Sequence, residues 1–114
     1  MYPEASVAFE TALEVLGDRP DIESAHTRLQ IGQLYWRTGH YAEAQEALSR
    51  AVATARDQGR DDVLAEGLKQ LGNIPLHSGD PKDAVEYFRR SLRIYEQFED
   101  LVGIAAVRMN LGAV

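Results

Sequence analysis

Cysteine is absent from this chain, which excludes disulfides, thiolate nucleophiles and zinc sites built on sulfur. Basic residues are the minority: 12 Lys and Arg against 18 Asp and Glu leave a net charge of −6. That balance repels phosphate backbones and anionic head groups, so neither nucleic acid nor a membrane surface is an expected partner. No apolar run approaches the roughly 18 residues that a spanning helix needs. The opening Met1-Tyr2-Pro3-Glu4 lacks the basic-then-apolar order of a signal peptide. Three histidines, His26, His40 and His77, stand apart, without the i, i+4 spacing or acidic companion of a helical metal site. Neither metal nor cofactor is therefore expected, and the cytoplasm is the expected compartment. What remains is 114 residues, 45% hydrophobic and 26% charged, enough for one folded unit with a modest core.

The chain repeats itself. At an offset of 40 residues Ala25, Ala65 and Ala105 coincide, as do Ile31, Leu71 and Leu111, and Gly32, Gly72 and Gly112. Further along the unit Gly39 pairs with Gly79, Ala44 with Ala84, Leu48 with Phe88 and Val52 with Leu92. Self-similarity at a fixed period marks a stacked array in which no unit buries its apolar face alone. Within each unit apolar and small residues recur every three or four positions, and glycine or proline punctuates between segments, which predicts two helices per unit and no strand. Gly39, Gly59 and Gly79 read as helix stops, and Pro20-Asp21, Asp61-Asp62, Asp80-Pro81 and Asp100 as starts, with Asp80 a side-chain cap. About six helices follow. Pro75, inside a helical run, removes an amide donor and predicts a kink or early unwinding.

Tyr2 to Leu16 matches Tyr41 to Ala55 with a one-residue shift, so that Ala5, Phe9 and Ala12 stand where Ala44, Leu48 and Ala51 stand later. Residues 1–18 therefore read as a second helix without its first, 21–59 and 61–99 as complete units, and 100–114 as a first helix without its second. A piece of a longer array is expected, with apolar flanks that favour self-association.

Ile31-Gly32, Tyr35, Gly39, Tyr41, Ala44, Leu48 and Ala51 resemble the tetratricopeptide signature, as do Leu71-Gly72, Gly79, Ala84, Phe88 and Tyr95. The period exceeds the usual 34 residues, and Leu71-Gly72-Asn73 is similar to the Leu-Gly-Asn tripeptide of a longer subclass. HEAT and armadillo arrays have comparable periods, but these positions fit them poorly. The resemblance implies an all-α, right-handed superhelical array of antiparallel helix pairs; independently, packing places the small residues where two helices cross closely, Gly32 against Ala44 and Gly72 against Ala84. The resemblance also implies a protein-interaction scaffold with no catalytic centre. Outer-face carboxylates such as Glu43, Glu46, Glu86 and Glu96 stand near Arg50, Arg89, Arg90 and Arg93 as solubilising partners, with no phosphate loop or nucleophile motif beside them.

In such arrays the first helices line a groove for partner peptides or helices. Carried over by position, that face holds Gln30, Gln33, Trp36 and Arg37 in the first unit, together with His26 and Leu29. The second unit places Lys69, Gln70, Asn73, Leu76 and His77 there, beside Glu66. The last helix adds Met109 and Asn110, beside Ala106 and Ala113. Side-chain amides donate and accept, so Gln33 with Asn73, and Gln30 with Gln70 and Asn110, form either a ladder for an extended peptide backbone or a solvated polar face. Lys69, Asn73 and Asn110 resemble part of a carboxylate clamp, although Ala106 and Glu66 depart from its pattern. Trp36 reads either as a partner anchor or as a ring half-buried between units. Two functions fit: a groove-binding scaffold, expected to be a regulatory segment of a larger bacterial protein, or a spacer that oligomerises through its terminal helices.

Overall fold

The computed structural model describes residues 3–17 and 21–114, and the side chains of all of these except residues 3–7. Pro20 and the side chain of Ala5 lie outside the described residues. Six helices and no strand are found among them: α1 (Pro3–Leu16), α2 (Ile22–Arg37), α3 (Tyr41–Asp57), α4 (Asp61–Ser78), α5 (Pro81–Gln97) and α6 (Leu101–Gly112). Helices α2 and α3 fold back on each other, as do α4 and α5; α3 also packs on α4, and α5 on α6. The result is the all-α helical repeat array expected from the periodicity.

The turns show how glycine and backbone geometry set the period. Each of the last four helix junctions is closed by an amide that reaches back five residues to a helical carbonyl: His40 to Tyr35, Arg60 to Ala55, Asp80 to Pro75 and Asp100 to Tyr95, at 2.8–3.0 Å. This bond needs a left-handed residue just before the amide. Gly79 supplies it with φ +100°, but the corresponding place after α5 is held by Glu99 at φ +53°. A side chain in that conformation costs about 1 kcal/mol or more. Glu99→Gly is accordingly expected to raise the urea unfolding free energy by roughly 1 kcal/mol, whereas the same change at exposed helical Glu46 lowers it.

Two starts follow the expected chemistry. Asp21 accepts from the Ser24 amide at 2.7 Å and Asp100 from Gly103 at 3.0 Å. Asp80 does not: its side chain makes no capping bond. Pro81 at the next position has no amide to present and already holds the helical φ, so the start does not depend on the aspartate. Nor does Pro75 unwind its helix early, because α4 runs on to Ser78. Its ring forfeits one bond to Leu71, while its own carbonyl accepts from both Gly79 and Asp80, so the last turn stays anchored.

The core consists of two clusters that follow one another along the array. One cluster joins Ala25, Leu29, Ile31 and Tyr35 of α2, Leu48, Ala51 and Val52 of α3, and Val63, Leu71 and Ile74 of α4. A second joins Ala65 of α4 to Ala84, Phe88 and Tyr95 of α5 and Val107 of α6. Helix α4 is thus a wall shared by both. Where the sequence suggested Gly32 against Ala44 and Gly72 against Ala84, the sockets are filled one turn later. A methyl on Gly32 would lie 2.6 Å from Leu48, and one on Gly72 would lie 2.6 Å from Phe88. The missing Cβ admits a large side chain, which a small one could not fill.

Candidate partner-binding face

Helices α2, α4 and α6 lie side by side, α2 touching α4 and α4 touching α6, with α3 and α5 stacked behind them. The 40-residue spacing therefore brings equivalent positions of successive first helices into rows. Helix α4 has a first helix on each flank, whereas α2 has one. Equivalent residues consequently differ in exposure: Gln30 is exposed and Gln33 half-buried, but Gln70 and Asn73 are only 4% and 8% exposed.

Burial of an amide requires partners. Gln70 has them at both ends: its Oε1 accepts from Trp36 Nε1 at 2.7 Å, and its Nε2 donates to Glu66 Oε1 at 2.9 Å. One row further on, Asn110 Nδ2 donates to Asn73 Oδ1 across a longer 3.4 Å. Neither a ladder nor a solvated face describes the amides of α4: Gln70 bonds Trp36 of α2 and Asn73 bonds Asn110 of α6, so that each first helix is tied to the next. These bonds form the floor of the face, with Gln30, Gln33 and Asn110 left at its surface.

Glu66 is the hub of that floor. Besides the Gln70 amide, it accepts from Tyr95 Oη at 3.1 Å and pairs with Lys69 Nζ at 2.9 Å. Burial alone would push its carboxyl up, but the bonds from Gln70 and Lys69 outweigh it and hold the group below its ordinary range. Burial first, and then the Glu66 carboxylate, pushes the Tyr95 phenol up. Because Lys69 is answered by an internal carboxylate, the clamp-like set Lys69, Asn73 and Asn110 presents no unopposed cation to a ligand carboxylate.

Trp36 is half-buried and engaged on several sides. Its ring stacks on His77 with centroids 5.0 Å apart and planes 15° from parallel, and the Arg37 guanidinium lies 5.6 Å from its centroid. Leu76, at the equivalent place, packs against the second core cluster. Trp36 and Leu76 are therefore supports of the face. Arg37, His77 and Met109 are exposed at its rim.

Two contributors were missed in the sequence. Tyr95 belongs to a second helix, and no local pattern says that its hydroxyl crosses to Glu66. Buried Arg28 donates through Nη2 to the carbonyl of Gly17, tying α2 to the end of α1. Its only signal was a charge where the next unit has Leu68. Among the described residues no group of acidic or histidine side chains is arranged to hold a metal, and no helix is long and apolar enough to cross a membrane. A cleft of about 320 Å³, lined by Arg60, Asp62, Ile94, Tyr95 and Phe98, shares Tyr95 with the network beneath the face. It sits at the joint between units, against an ion pair of Arg60 with Asp62 at 2.9 Å, and holds none of the rim residues.

A family model described as tetratricopeptide repeat matches residues 23–97. The chain belongs to the tetratricopeptide repeat family. The match spans both complete helix pairs. Tetratricopeptide repeats generally mediate protein–protein interactions and are typically non-catalytic scaffolds. No solved structure matches the chain.

Proposed function

We propose that the α2–α4–α6 face binds a peptide or helical segment of a protein partner, and that the array serves as a regulatory interaction segment of a larger bacterial protein. The observation that carries this reading is the closed polar network beneath the face. Trp36, Gln70, Glu66, Lys69 and Tyr95 satisfy one another, so the rim above them is held rigid before a partner arrives, and binding orders few groups. Gln30, Gln33 and Asn110 supply donors and acceptors for a main chain, and Arg37, His77 and Met109 add charge, ring and thioether contacts.

The repeat is of the long, Leu-Gly-Asn type on this reading. Helices α2, α4 and α6 begin at residues 22, 61 and 101, spacings of 39 and 40, and Leu71-Gly72-Asn73 lies within α4. The regulatory role rests on analogy with arrays of that type.

The test is selection of a peptide-display library on the immobilised chain, followed by affinity measurement on the peptides retained. A triple Gln33→Ala, Arg37→Ala, His77→Ala variant is expected to keep its helicity and to bind those peptides at least about tenfold more weakly, a loss of roughly 1.4 kcal/mol. Unchanged affinity would place the binding elsewhere and sink the proposal.

A further inference from the structure

The repeat allows each position of α6 to be compared with two earlier copies of itself. Ala25 and Ala65, Arg28 and Leu68, and Gly32 and Gly72 are all buried, whereas Ala105, Arg108 and Gly112 are exposed. In α2 and α4 the glycine of this set is the socket for a large residue of the next helix. Among the described residues nothing lies within 4 Å of a methyl built on Gly112.

Helix α1 shows the converse. Phe9 and Ala12 stand in the places of Leu48 and Ala51, and α1 packs on α2 with Phe9 edge-on to Tyr35, centroids 4.9 Å apart. Among the described residues its opposite flank is open. Val15 is 74% exposed, but Thr54 in the matching place of α3 is 8% exposed. Ala8 is likewise exposed where Ala47 is buried. Helix α1 contains Glu4, Glu10 and Glu14 and no basic residue, while α6 contains Arg108 and no acidic one.

We infer that this 114-residue chain self-associates head to tail, the open face of α6 in one copy receiving α1 of the next, so that a helix pair is rebuilt between molecules. The contact continues the interface that α2 makes with α3 and α4 with α5. Phe9 takes the role of Leu48 and Phe88 over Gly112, and Val15 is covered near the start of α6. Arg108 is exposed and held by Glu96 only across 3.9 Å, so the acidic α1 favours this pairing over α6 on α6. The two surfaces differ, so each association leaves one of each kind open, and assemblies grow with concentration instead of closing as a symmetric dimer.

Sedimentation velocity from low-micromolar to near-millimolar protein tests this. The unsubstituted chain is expected to show a weight-average mass that climbs steadily with concentration. Val15→Glu and Ala105→Glu, both at exposed sites, each remain monomeric with unchanged circular dichroism. Their equimolar mixture forms a 1:1 dimer and nothing larger, because one partner retains an intact α6 and the other an intact α1. Gly112→Leu, which fills the socket without adding charge, is also monomeric. A monomeric unsubstituted chain, a Val15→Glu protein that still assembles through α6 on α6, or a mixture that stays monomeric would each overturn the inference.

Discussion

Gly72→Leu is expected to lower the melting temperature by roughly 10–20 °C, the net of about 2–4 kcal/mol of overpacking at 4–8 °C per kcal/mol after the helix-propensity gain over glycine. The added side chain cannot avoid Phe88, whose ring would stand 2.6 Å from its first atom and is itself fully buried. The cost has a specific signature. Phe88→Ala alone opens a cavity and destabilises by about 3–5 kcal/mol, whereas in the double variant the leucine occupies part of the space that the phenylalanine leaves. A double-mutant cycle should therefore show favourable coupling of about 0.5–3 kcal/mol. Strict additivity would mean that Gly72 and Phe88 do not share one socket. Gly112→Leu serves as the control in dilute solution, where its open surroundings make the change close to neutral.

The second large effect centres on Glu66. Glu66→Ala leaves the Lys69 ammonium without its carboxylate, the Tyr95 hydroxyl without its acceptor and the Gln70 amide with an unmatched donor. A loss of about 2–3 kcal/mol is expected, below the 3–5 kcal/mol typical of breaking a fully buried pair, because the site retains some solvent. Glu66→Gln keeps the shape and one acceptor and should lose less. The two variants also differ from the parent in pH dependence. The Glu66 carboxyl is held below its ordinary value of 4.5 in the folded protein. Its contribution is therefore complete above that value and is lost as pH falls through the folded-state pKa. Urea midpoints measured at neutral and acidic pH should fall more steeply for the parent than for Glu66→Gln. Equal slopes would show that Glu66 is not held ionised by its neighbours.

Much of the architecture was legible because the repeat is a statement about packing. Ala25, Gly32 and Ala44 recur as Ala65, Gly72 and Ala84, and Leu48 gives way to Phe88, since each unit must fit the same neighbour, and the helix count and turns follow from that constraint. The missing pieces depended on geometry across helices. The offset could not say that Leu48 is the residue nearest Gly32, because residues one turn apart share a face. Nor could it say that Pro75 sits near enough to the end of α4 for Gly79 and Asp80 to secure the turn beyond it.

The face itself was legible as a set of positions and not as a set of roles. Gln30 and Gln70 occupy the same register, yet the first is exposed and the second has both amide groups engaged, because only α4 has a first helix on either side. Trp36 read either as a partner anchor or as a ring half-buried between units, and its stacking on His77 and bond to Gln70 fit the second. Buried polar groups take the nearest partner, and that partner lies 34 residues away in the case of Trp36 and Gln70.

The most direct test of partner binding is amide and side-chain chemical-shift mapping of the labelled chain on addition of a library-selected peptide, in dilute solution where self-association is minimal. The binding face proposed here predicts that the largest changes fall on Gln30, Gln33, Arg37, His77 and Asn110, with smaller shifts at the Trp36 indole and the Gln70 amide beneath them. Changes confined to the outer surfaces of α3 and α5, or to the cleft around Arg60 and Phe98, would contradict it.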